Sequence, residues 1–320
     1  MITFRVGILS CFIAITSFCG LFAKPLKPIV FQPDWFPNAQ FSGFFWADTG
    51  GLYEKNGLDV TFNRFDFGVD FIGAVSSGEA AFGTVEAYIL MDAIARGEPL
   101  VALGAVLGES PAGYIYLEKS GIKSGKDMEG KRVGVHNFAE ELLPFFVQEA
   151  GLAEGSVEPV VVKHKIEKLL DGSVDLHQGY AIDEMIRLKG MTEEPVDILL
   201  FEELGMPMYS MVIYSSRAFV EANPEIVESF MSASAEGWEQ AMAAPEITSL
   251  IVNGPFQDAE VDNALITPQA VALKDFVLID GRPTLSMTRA KWEAMQAAYL
   301  KSGMIDAPVD LDALLEFNVE

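Results

Sequence analysis

From residue 29 onward, short apolar runs alternate with stretches whose apolar residues recur at helical spacing, the pattern of an α/β fold with a largely parallel sheet. Ile29–Phe31 predicts a first strand, Ala39–Asp48 a helix ending near Gly50-Gly51, and Leu58–Phe62 a second strand. Ala81–Gly83 leads into a predicted helix over Val85–Arg96, in which Ile89, Ala93 and Ile94 share a face and Gly97 supplies a left-handed stop. Leu100–Val106 is the next strand. A second register begins near Gly113, with strands at Tyr114–Leu117 and Arg132–Val135, a polar connection at Gly121–Gly130, and a helix from Pro144 to Gly151. Val157–Val162, Ile166–Leu170, Asp175–Gly179, Asp183–Lys189 and Ile198–Phe201 continue the alternation, and Tyr209–Ser215 is the last clear strand. Beyond it the chain turns helical and acidic, opening with Pro224 and an apolar face of Ile226, Val227, Phe230 and Met231. Two α/β blocks joined by extended passages near 113 and 212 imply two lobes, a double crossover and a cleft between them. Ligands of open α/β sheets gather at the carboxyl ends of strands, where helix N-termini present free N–H groups.

Composition narrows the chemistry. The chain has 320 residues with 46 acidic against 22 basic side chains, a formal charge of −24 that repels a polyanion and argues against nucleic acid as a partner. Residues 1–23 carry one basic residue, Arg5, and an apolar stretch over Val6–Phe22, which reads as a secretory signal with cleavage after Ala23. A membrane anchor is the competing reading of that stretch, and a lipid attached at Cys19 is a third. Both cysteines, Cys11 and Cys19, fall inside it, so the exported chain would have neither a disulfide nor a thiolate nucleophile. His136, His164 and His177 show no metal-binding spacing, and no phosphate-loop, dinucleotide or nucleophile-elbow motif is present. The sequence therefore proposes no metal, no cofactor and no catalysis, and the acidic surface fits a soluble monomer.

One succession of motifs resembles a known family. It runs from Pro37-Asn38-Ala39-Gln40-Phe41 and Gly51-Leu52-Tyr53-Glu54-Lys55-Asn56-Gly57-Leu58 through Phe82-Gly83-Thr84-Val85-Glu86 and Ala95-Arg96-Gly97-Glu98-Pro99 to Lys126-Asp127-Met128-Glu129-Gly130-Lys131. Gly179-Tyr180 with Asp183-Glu184, Gly205-Met206-Pro207 and Pro224-Glu225-Ile226-Val227 complete it. In their order and spacing these segments are similar to the periplasmic binding proteins of ABC importers for thiamine pyrimidine precursors, riboflavin and, more distantly, sulfonates. The resemblance implies an α/β type II periplasmic binding fold. Lobe one would comprise 26–113 and 213–320 and lobe two 114–212, closing on a ligand by a hinge. It also implies a periplasmic location and an ABC permease as partner. A eukaryotic branch of the family makes the thiamine pyrimidine by consuming its own histidine, and relies on a cysteine-rich iron site. Gln40 stands where that branch would carry the histidine, so the chain is expected not to be an enzyme.

Residues 31–46 hold seven aromatics, of which Phe41, Phe44 and Phe45 form a core-facing stripe. Trp35 follows the first strand and is the candidate to stack on a flat ligand; core packing is the competing reading. Trp46 is assigned to the core. Asn38 and Gln40 are candidate hydrogen-bonding residues, Asn38 equally a helix cap. Glu86, after the Gly83-Thr84 turn, would accept from a ring amino group or simply favour a helix dipole; Thr84 joins the site with it. From lobe two, the loop His136–Leu143 would present Phe138, Ala139 and Glu140, while Tyr180 follows a strand end. Glu184 is the preferred specificity residue, because a carboxylate accepts two N–H bonds from an aminopyrimidine. Tyr209, near the second crossover, either closes the pocket or packs. The expected guest is a small heteroaromatic vitamin or precursor of the thiamine pyrimidine type, with riboflavin as the alternative within the class and a pyrimidine-metabolising enzyme as the alternative outside it. A sulfonate or nitrate would call for an arginine near a helix N-terminus, and none stands in the segments named above.

Overall fold

Two separate parts of the chain build the first sheet, as a computed structural model describing residues 25–136, 142–162, 165–279, 282–283 and 285–317 shows. The proposed signal segment, with both cysteines, lies outside the described residues, as do Phe138, Ala139 and Glu140. Strands β1 (Lys27–Gln32), β2 (Leu58–Phe62), β3 (Phe82–Val85) and β4 (Leu100–Leu107) come from the amino-terminal part. The second sheet takes β5 (Ala112–Leu117), β6 (Arg132–Val135), β7 (Glu158–Val161), β8 (Leu176–Tyr180) and β9 (Val196–Leu200), after which β10 (Ser210–Ser216) returns to the first.

The sheet orders are β2-β1-β3-β10-β4 and β7-β6-β8-β5-β9. In the first, β1 runs parallel to β2 and β3, and β10 runs antiparallel between β3 and β4. In the second, β6 is parallel to β7 and β8, and β5 is antiparallel between β8 and β9. Each sheet thus places one reversed strand in the same position, and in each it is the first strand after the chain crosses over, through 108–111 or 201–209.

One boundary departs from the sequence pattern. Phe82–Val85 is a buried strand in the middle of the first sheet, and the helix expected from Val85 begins at Ala87. The run is buried on both faces, so it lacks the alternation that would have separated it from the helix behind it. Ile166–Leu169 forms a single 3-10 turn in place of a regular element.

Lobe one is held by aromatic packing between its sheet and the helices Ser42–Thr49 and Pro224–Ala243. Phe82 stacks on Phe230 at 4.1 Å, and Phe44 meets Trp238 edge-on at 5.8 Å, pairs that each add roughly 0.5–1.5 kcal/mol beyond area burial. The two helices approach so closely that a Cβ on Gly43 would lie 2.1 Å from the Trp238 ring, and one on Gly237 would lie 2.1 Å from the Gly43 carbonyl. Only glycine fits at that crossing.

A third helix, Arg289–Ser302, fastens the lobes together behind the cleft. Its Trp292, Met295 and Tyr299 share one core with Leu90 of lobe one and with Tyr114 and Phe146 of lobe two. Lys291 Nζ donates to the Gly108 carbonyl at 2.8 Å and pairs with Glu202 at 2.6 Å, so one ammonium binds both crossover segments. Lys301 pairs with Glu149 of lobe two. Among the described residues, no helix is long and apolar enough to cross a membrane.

Candidate functional site

The parallel strands of both sheets aim their carboxyl ends at the junction of the lobes. Beyond β1 come Asp34 and Trp35, beyond β3 comes Glu86, beyond β6 comes His136, and β8 ends at Tyr180 with Asp183 and Glu184 following. All of these line a cavity of about 90 Å³ between the lobes, together with Gln40 and Gln178. Phe65, Phe71, Ile89 and Met211 supply apolar wall.

Trp35 has its ring in a cluster with Phe36, Phe65 and Phe67, at centroid distances of 5.7, 5.4 and 5.9 Å. Across the junction it faces the His136 imidazole of lobe two at 6.0 Å, with the planes only 16° apart. Two parallel rings must stand about 7 Å apart to admit a third at van der Waals contact. A flat guest between these two therefore needs the lobes about 1 Å wider than they are here.

Glu86 ties three parts of the molecule together. Its carboxylate accepts from the Tyr180 hydroxyl of lobe two, from Ser210 Oγ at 2.7 Å and from the Met211 N–H. Ser210 Oγ is also 2.7 Å from Ser110 Oγ, so the first crossover segment meets the start of β10 at this point. Met211 adopts φ 52°, a left-handed conformation that costs a non-glycine residue energy, and its N–H is one of the donors to Glu86. Burial outweighs these donors and pushes the Glu86 carboxyl up to about 7. Burial likewise raises Asp34 to about 6, although Thr84 Oγ1 donates to it at 2.7 Å.

Asp183 is the second bridge. From lobe two it accepts from the Trp35 side chain, from Asn38 Nδ2 at 3.3 Å and from Gln269 Nε2 at 2.7 Å, all on lobe one. Burial, then the neighbouring Glu184 charge, raises its carboxyl, and the Arg187 guanidinium opposes them. Glu184 is also raised by burial; one of its oxygens accepts the Tyr180 N–H at 2.8 Å.

The structure brings six of the residues singled out from sequence onto the main cavity or its bridges: Trp35, Gln40, Glu86, Tyr180 and Glu184 line it, and Asn38 reaches it through Asp183 while capping the turn that starts at Ala39. Thr84 is fully buried and acts on Asp34. Tyr209 is not among the cavity-lining residues. Its hydroxyl accepts the Thr288 N–H at 2.9 Å, and its ring packs near Trp292 and beneath the Lys291 ammonium in the core shared with the helix Arg289–Ser302. Sequence reasoning passed over Asp34, His136, Gln178 and Gln269. Asp34 and His136 carried a signal, since Asp34 directly precedes Trp35 after the first strand and His136 directly follows the strand Arg132–Val135 at the head of a loop already offered to the ligand. Arg187 is a correction: an arginine does stand in the first turn of a helix at the cleft, Glu184–Met191, and the acidic pair opening that helix drew attention away from it.

Two α/β lobes of matching strand order, crossed twice by the chain and with a cavity between them, make up the periplasmic binding protein fold. The solved structure of the aliphatic sulphonate binding protein SsuA from Escherichia coli superimposes with a TM-score of 0.71 over 90% of this chain and 91% of that one, at 16% identity, which shows the shared fold. Residues 38–248 match the NMT1/THI5 like family, and the chain belongs to that family. Among its relatives are the 4-amino-5-hydroxymethyl-2-methylpyrimidine phosphate synthase THI11 of Saccharomyces cerevisiae, 25% identical over 68% of each chain, and the riboflavin-binding protein RibY of Chloroflexus aurantiacus, 26% identical over 70% of this chain and 65% of that one.

Proposed function

We propose that this chain is the exported solute-binding component of an ABC importer, which captures a small amino-bearing heteroaromatic ring of the thiamine pyrimidine type and passes it unchanged to a permease. The observation that carries this reading is the cavity itself. It sits where both lobes contribute, it presents a tryptophan and an imidazole as near-parallel faces, and its polar wall combines four carboxyl groups, Asp34, Glu86, Asp183 and Glu184, with Gln40, Gln178 and Tyr180. Carboxylates accept from ring amino groups, and a guest that donates to Glu86 or Asp34 would offset the burial that now disfavours their charge. Stacking adds only roughly 0.5–1.5 kcal/mol, whereas micromolar affinity needs about 8, so hydrogen bonding and lobe closure must supply most of the capture energy.

The synthase relatives favour an enzyme as the rival. Gln40 lies on the cavity wall where the resemblance would place that branch's histidine, and both cysteines precede residue 25, which supports a receptor. RibY favours riboflavin as a second reading.

A thermal-shift panel of aminopyrimidines, riboflavin and alkanesulfonates, followed by mass analysis of the released ligand, tests the reading. Stabilisation by an aminopyrimidine recovered intact is the expected result. Turnover, or stabilisation by a sulfonate alone, would overturn it.

A further inference from the structure

Behind the wall that carries Trp35 lies a space of about 210 Å³, more than twice that of the cavity between the lobes, and every residue lining it belongs to lobe one. The segment Pro33–Pro37 is the partition. Asp34 and Trp35 line the inter-lobe cavity, Pro33 and Pro37 line the space behind, and Phe65 lines both. Strands β1 and β2 end at Gln32 and Phe62, so this space too opens beyond carboxyl ends of a sheet, where α/β folds collect ligands. Three rings make its apolar corner. Phe45 and Phe256 stack at 3.9 Å with their planes 11° apart, and Phe62 stands edge-on to both, at 5.4 and 5.5 Å. A cavity of about 150 Å³ already admits benzene, so a single substituted ring fits here.

The charged edge of the space is one ion pair, Arg64 Nη2 to Asp258 Oδ2 at 2.6 Å. Its two members differ in what they have left to give. Asp258 also accepts the N–H groups of Glu260, at 3.0 Å, and Ala259, and its side chain is only 8% exposed. The Arg64 side chain is 83% exposed, and its one hydrogen bond among the described residues leaves most of the guanidinium donors unspent. The spare capacity of this edge is therefore cationic and donating. We propose that the space is a second binding site, taking a flat aromatic carboxylate whose ring lies against Phe45, Phe62 and Phe256 and whose carboxylate meets Arg64. It is independent of the reading of the cleft. Because the chain carries a formal charge of −24, its own field repels an anion, and the guanidinium decides whether one is held.

Fluorine NMR titration of the full chain with 4-fluorobenzoate and with uncharged 4-fluorobenzyl alcohol tests the assignment. The carboxylate should bind about fivefold tighter or more at low salt, and added salt should shrink that advantage. Arg64→Gln, a change at an exposed side chain, should cut the advantage below about twofold while the alcohol's affinity holds. Anomalous scattering from co-crystals with 4-bromobenzoate should place the bromine beside Phe62 and Phe256. Equal wild-type affinities, an Arg64→Gln variant that keeps the preference, bromine in the inter-lobe cavity alone, or no binding of either probe would each overturn the second site. None of those results touches the transport reading, which rests on the other cavity.

Discussion

Replacing Glu86 by glutamine keeps the shape of the side chain and removes its charge. The carboxyl moves from an ordinary 4.5 to about 7 in the folded protein, and burial causes it. At about 1.4 kcal/mol per pH unit, holding the ionised form costs the native state about 3 kcal/mol, an upper bound already net of the donors it keeps. The sign follows from the raised value. Below about 4.5 the group is protonated folded or unfolded and costs nothing; above about 7 it is ionised in both and the whole cost is present. Wild-type stability should therefore fall as pH rises from 4.5 to 7. Glu86→Gln lacks that slope, because an amide stays neutral at every pH; it offers two N–H donors and one acceptor oxygen where the protonated carboxyl offers a single O–H donor. Scanning calorimetry of the unliganded pair should give nearly coincident melting temperatures at pH 4 and a variant more stable by about 2–6 °C at pH 8, at roughly 2 °C per kcal/mol for a chain of this size. Asp34 adds its own slope to both proteins, and because its charge is also a minor cause of the raised Glu86 value, the difference between the two contains that coupling as well. Equal shifts at the two pH values, or a variant less stable at pH 8, would refute the claim that burial of this charge is unfavourable.

Trp35→Ala should weaken aminopyrimidine binding at least tenfold in titration calorimetry while circular dichroism stays native; unchanged affinity would remove the indole from the site. Gly43→Ala should destabilise lobe one by about 3 kcal/mol or more in urea unfolding, because its Cβ would lie 2.1 Å from the Trp238 ring and the helices would have to separate. A loss below 1 kcal/mol would mean that the crossing yields easily.

Most strands could be read from the chain because they are short apolar runs bounded by turn residues. The failure at Phe82–Val85 was physical: a central strand buried on both sides carries no alternation, so Ala81–Gly83 read only as a lead-in and Val85 was given to the helix that follows. At the site, Trp35 was singled out because it follows the first strand, where α/β sheets collect ligands, and Glu86 because it follows Gly83-Thr84, which the sequence read as a turn and the structure makes part of a strand. Asp183 and Gln269 were not. Their roles arise from an 86-residue separation closed by the meeting of two lobes, and no local pattern announces it. Tyr209 shows the reverse, a tyrosine beside a crossover that faces the supporting helix instead of the guest.

The strand order carries a consequence for how the molecule comes into being. The second sheet is contiguous in the chain, from Ala112 to Leu200, and can be assembled from that stretch alone. The first sheet has a gap between β3 and β4 that only Ser210–Ser216 can fill, so the earliest-made strands must wait for a segment produced more than a hundred residues later. Long-range pairing of that kind is slow, because loop-closure entropy is lost before any contact repays it. The middle of this polypeptide is thus positioned to reach its final form ahead of its beginning.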